Sequence, residues 1–101
     1  MLRAVFVRTL RPGVTYEQFK DAWLPEGLHD RYPTTARVAR SLSDDRQVIT
    51  IIELDVPAAE FQAAAASLTR PDAIQRLSAI VESTQLEGVF EDIFDEVTLL
   101  D

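Results

Sequence analysis

The sequence contains no cysteine, which excludes disulfides, thiolate metal sites, iron–sulfur clusters and a thiol nucleophile. It has one histidine, His29, so neither a multi-histidine metal site nor a metalloprotease motif can be written. The three glycines, Gly13, Gly27 and Gly88, stand too far apart for a Walker A loop or a dinucleotide fingerprint. Basic residues are scarce: 10 Lys and Arg face 17 Asp and Glu, for a net charge of −7. Those ten are scattered, so no cationic track exists to replace the counterions of a phosphate backbone, and nucleic acid is not an expected partner. Long apolar runs are missing too. The stretch Met1–Arg8 is broken by arginines and too short for a signal-peptide core, so no membrane partner is expected and the chain reads as soluble and cytoplasmic. What remains is 101 residues, enough for one domain spanning 1–101. Arginine-rich, alanine-rich and asparagine-free usage suggests a GC-rich bacterial source.

Each segment carries its own period and punctuation. Residues 2–10 are rich in β-branched and aromatic side chains and end at Arg11-Pro12-Gly13, which predicts a strand and a turn. Thr15 and Gln18 have capping-box spacing, and Tyr16, Phe19 and Trp23 follow on one face, predicting a helix over 16–24. Pro25, Gly27 and Pro33 bracket a loop that holds His29 and Tyr32. Residues 36–42 and 48–54 read as a hairpin around Ser43-Asp44-Asp45-Arg46. A second helix follows Asp55 and Pro57, with Phe61, Ala64, Ala65 and Leu68 as its stripe. A third restarts at the capping pair Thr69 and Asp72, with Ile74, Leu77 and Val81 as its apolar face. Gly88 is expected to release a last strand over 89–100.

The order β-α-β-β-α-(α)-β predicts an α+β, ferredoxin-like split βαβ domain: a four-stranded antiparallel sheet with helices on one face. The other face should then alternate to polar, yet Val48, Thr50, Ile52 and Leu54 stand opposite Ile49 and Ile51, and Val5 and Val7 stand opposite Ala4, Phe6 and Leu10. Helices cover only one of these faces. A symmetric second copy packing sheet against sheet is the expected cover, giving a homodimer.

This pattern, with Phe19-x-x-x-Trp23 on the first helix and His29 after it, resembles the dimeric α+β barrel superfamily. That superfamily includes EthD-like proteins, antibiotic-biosynthesis monooxygenases, small polyketide cyclases, lactone isomerases and stress-responsive A/B barrel proteins. The resemblance covers the whole chain in element order and implies two sheets joined into a barrel, with small aromatic or polyketide-like substrates and no bound cofactor or metal. Monooxygenases of the superfamily and their haem-degrading relatives commonly place an asparagine in the site, and this sequence has none.

Among candidate site residues, His29 is the only side chain with an unperturbed pKa near neutrality and the natural general acid or base; its alternative is a solvated loop histidine. Trp23 and Tyr16 line an aromatic pocket or pack in the core. Tyr32 donates to a substrate oxygen or plugs the loop. Arg8 and Glu53 place charges on surfaces the dimer would bury, where Arg8 holds a substrate carboxylate or enolate, or the two enter interfacial ion pairs. Glu87, Glu91, Asp92, Asp95 and Glu96 pair with arginines or are solvated rather than binding a metal ion. The resulting expectation is a small-molecule enzyme or ligand-binding barrel doing cofactor-free isomerase- or cyclase-like proton transfer on an enolisable or aromatic compound. The alternatives are a cofactor-independent monooxygenase and a non-enzymatic stress-related or regulatory homodimer.

Overall fold

The computed structural model describes residues 1–23, 34–66 and 72–93. They form β1 (Leu2–Leu10), α1 (Tyr16–Trp23), β2 (Thr34–Arg40), β3 (Gln47–Leu54), α2 (Phe61–Ala66, entered through a 3-10 turn at Ala58–Glu60), α3 (Ala73–Ile80) and β4 (Val81–Glu91). The four strands make one antiparallel sheet in the order β2-β3-β1-β4, so β3 lies between the two strands that α1 connects. No helix among the described residues is long and apolar enough to cross a membrane.

Local sequence accounts for the first half. Gly13 adopts φ +84°, a turn conformation that side chains with a Cβ resist, between β1 and α1. The capping box then closes as spacing predicts: the Gln18 amide donates to the Thr15 hydroxyl at 3.2 Å, and the Thr15 amide donates to Gln18 Oε1 at 2.8 Å. At the hairpin the Asp44 carboxylate accepts from the Arg46 amide at 3.0 Å, an Asx turn that brings the chain back as β3. The first hairpin strand runs two residues earlier than 36–42, and Leu42 is left fully exposed beyond it.

The register assigns the faces. Leu2, Ala4, Phe6 and Arg8 on β1 lie opposite Leu54, Ile52, Thr50 and Val48 on β3, and this side meets the helices. Phe19 and Trp23 from α1 and Ala73 from α3 complete the buried cluster, with Phe61 of α2 packed at its margin. Phe19 has no exposed surface; burying such a ring contributes about 2–3 kcal/mol. The opposite side carries Val5 and Val7 against Ile51 and Ile49, flanked by Leu86 and Phe90 of β4. No described helix packs there.

Other sequence expectations change as well, among them the apolar face of the third helix, where Ile74 is exposed and Val81 belongs to the strand. The last strand is 81–91, not 89–100: α3 ends at Ile80, Val81 is already extended, and Gly88 sits inside the strand. Gly88 suits that place because the Phe90 ring lies over it, 3.1 Å from where a Cβ would stand. Arg8 also moves. It stands opposite the buried Val48, on the helix side of the sheet and not on the face proposed for a second copy.

Thr50 is 2% exposed in the middle of the core, and its hydroxyl has no hydrogen-bond partner among the described residues. Replacing that hydroxyl with a methyl removes an unpaired buried polar group, so Thr50→Val is expected to raise stability by about 1 kcal/mol in urea denaturation. Destabilisation would mean the hydroxyl is satisfied.

Candidate functional site

The candidate residues divide among separate places. Arg8 borders an open cleft of about 330 Å³ on the helix side, between α3 and the beginning of β4, whose other walls include Ile74, Leu77, Thr84 and Glu87. Its guanidinium stacks over the Phe6 ring at 4.3 Å from the centroid. Partial burial lowers its pKa from the ordinary arginine value and Glu87 opposes this by attraction, so the group stays charged throughout the physiological range. Among the described residues the guanidinium makes no hydrogen bond and no ion pair.

Two irregularities in the β1–β4 ladder bracket Arg8. The register shifts between Val7 and Arg8 and again between Thr9 and Leu10, leaving Gln85 and Glu82 as the extra residues on β4. Thr9, across the first shift, has its hydroxyl 3.1 Å from Gln85 Oε1, and Gln85 in turn donates to the Ser83 hydroxyl at 2.7 Å. The bulged stretch is therefore held in place, and Thr84 becomes the cross-strand neighbour of Arg8 on the cleft side.

Tyr16 is half exposed and contributes to a second hollow of about 280 Å³, with Val14, Val38 and Asp45 also on its wall. Trp23 behaves as a core residue, 7% exposed with its ring 6.4 Å from that of Phe19 at 55°. Its indole N–H is buried and unpaired among the described residues. His29 and Tyr32 lie outside the described residues, as do Leu68, Thr69, Asp95 and Glu96. The segment that carries His29 rejoins the sheet at Thr34, opposite Leu54, which pairs with Leu2. Arg8 is six residues along β1 from Leu2, about 20 Å at a strand's rise per residue.

Glu53 is on the uncovered face, where Arg3, its direct cross-strand neighbour, approaches to 3.2 Å. Arg3 also grips Asp92 with two bonds of 2.8 and 3.2 Å. The hydrogen bonds and charge of Arg3 hold the Asp92 carboxyl below its ordinary pKa, and the two acids raise that of Arg3. Glu53 and Asp92 thus serve an ion-pair cluster at one corner of the sheet, and the described residues contain no group of three or more metal-ligating side chains.

Thr84 and Glu87 on the cleft wall fall outside the sequence expectation, which begins the last strand at 89, whereas β4 begins at Val81. The alternation Leu86, Gly88, Phe90 on one side of a strand was the available signal. Comparison with protein families, curated proteins and solved structures finds no significant match for this chain.

The Asp92 shift makes a pH prediction. A carboxyl with a depressed folded pKa stabilises the fold above its ordinary value of about 3.9, and the contribution disappears as pH falls through the lower folded value. Asp92→Asn should therefore lower the melting temperature slightly at pH 7 and flatten its decline below about pH 4. Identical melting curves from pH 7 to 3 would show that the pair contributes nothing.

Proposed function

We propose that the protein acts as a homodimer whose sheets pack face to face into an α+β barrel, and that the helix side of each sheet binds a small molecule. One observation carries the first part. The uncovered face presents half-buried Val5, Val7, Ile49 and Ile51 beside Leu86 and Phe90, which are 45% and 50% exposed, with no described element above them. Four strands of about seven residues make a face about 19 by 24 Å, or about 450 Å² in projection before side-chain relief and rim are added. That is the order of magnitude of the roughly 800 Å² each partner contributes to a stable dimer.

A second copy of this chain presents the same apolar face, so two sheets related by a twofold axis cover each other. The charged corner is partly compensated, because Arg3 binds both Glu53 and Asp92 at the margin of the apolar face. A ferredoxin-like barrel of this kind, resembling the EthD-like and cyclase-like proteins, gives His29 the part of general acid and base in cofactor-free isomerisation or cyclisation of an enolisable compound. The support for that part is the sequence: His29 is the chain's only imidazole.

Two measurements test these parts separately. Sedimentation equilibrium at micromolar concentration should give twice the chain mass of 11.3 kDa, and Ile51→Arg should give a monomer or an unfolded chain; a monomeric native protein contradicts the dimer. For catalysis, solvent deuterium exchange into phenylacetone should be accelerated by the protein and slowed about a hundredfold by His29→Ala at unchanged melting temperature. Equal exchange by both proteins would leave the non-enzymatic dimer.

A further inference from the structure

The arginines of the described structure differ in how they are satisfied. Arg3 is held by Asp92 and Glu53, Arg46 by Glu82 at 3.4 Å, and Arg76 by Asp72 at 2.8 Å and Asp21 at 3.2 Å. Arg11 reaches the Ser78 carbonyl at 3.5 Å. Arg8 is half buried on the side of the sheet that holds the core, yet among the described residues it has only the Phe6 ring beneath it and the distant attraction of Glu87. A desolvated cation that the protein leaves without a hydrogen-bonding anion is costly, and a guanidinium presents its donors in a fork matched to a carboxylate.

The surroundings supply the rest of a binding site. Ile74 is 88% exposed although it lies on the same helix as the buried Ala73, and it stands with Leu77 on the cleft wall. An exposed branched aliphatic beside a partly desolvated cation offers an apolar surface and a charge to one molecule. Thr84 adds a hydroxyl next to Arg8, placed there by the bulges in β4. The negative groups in the cleft are accounted for: Glu82 pairs with Arg46, and Glu87 is the one carboxylate acting on Arg8. The volume of about 330 Å³ is at the small end for ligand pockets.

We propose that this cleft binds a small organic monoanion, with the carboxylate on the Arg8 guanidinium and the apolar body against Ile74 and Leu77. This deepens the small-molecule half of the function proposed above and needs neither the dimer nor His29. In the free protein Glu87 offsets part of the Arg8 charge, so it competes with the ligand.

The full chain titrated with benzoate, and separately with the neutral isostere benzamide, provides the test, followed by backbone and arginine side-chain NMR. Benzoate should shift resonances of Arg8, Leu77 and Thr84 and bind at least about tenfold more tightly than benzamide. Arg8→Gln should lose that preference without a fall in melting temperature, Arg8→Lys should keep part of it, and Glu87→Gln should strengthen benzoate binding a few-fold. Equal affinity for the two compounds, undiminished benzoate binding by Arg8→Gln, or no benzoate response at tens of millimolar would overturn the proposal. Sedimentation and His29→Ala leave these readouts unmoved, so failure of the dimer or of the catalytic reading is distinguishable from failure here.

Discussion

Because β1 and β3 pair with Ala4 opposite Ile52 and Val5 opposite Ile51, the two central strands are apolar on both sides, and every other element is placed with respect to that pair. Hydrophobicity alone specifies such a register weakly, since a one-residue slip exchanges one apolar set for another. Other devices pin it. The Asx turn at Asp44 sets where β3 begins, and the Arg3–Glu53 pair stands directly across the two strands. A slip would carry Arg3 toward the side where Phe19 and Leu54 are packed, at the cost of burying its charge.

The same pairing explains why the two sides serve different ends. On one, Leu2, Ala4, Leu10, Val48 and Ile52 are sealed into the core with residues of α1 and α3, while the strip beside Arg8, between α3 and the beginning of β4, stays open. The bulges in β4 keep the ladder irregular at that point, and the cleft is what the helix layer leaves uncovered. On the other side no described element covers Val7, Ile49 and Ile51; among the described residues its ion pairs lie at the Arg3 corner, and Arg37 of β2 stands directly across from Ile51. The proposed ligand site and the proposed interface therefore lie on opposite faces of one sheet.

How much of this was legible follows from where local rules and packing agree. The Thr15–Gln18 box, the β-branched run from Val48 to Ile52 and the turn at Asp44 each have a short-range cause, and each is legible in the sequence. β4 was not, because Ile74, Leu77 and Val81 keep helical spacing across the real boundary, while the exposed edge strand after it shows Glu82-Ser83-Thr84-Gln85 in place of apolar alternation. Gly88 looked like punctuation, and only the Phe90 ring above it explains a glycine inside a strand. For Arg8 the alternation was visible, but which face the helices would choose depends on Phe19, Trp23 and Ala73 meeting Leu54 and Ile52, a tertiary outcome. The described structure brings no two of Trp23, Glu53 and Arg8 into one site.

The central claim is that the uncovered sheet face is buried against a second copy of itself. The most direct measurement is an isotope-filtered NOE experiment on a mixture of labelled and unlabelled chains. The account predicts intermolecular contacts among the Val7, Ile49 and Ile51 methyl groups and the Phe90 ring. Intermolecular contacts that instead involve Ile74 or Leu77, or none from any of these side chains, would contradict it.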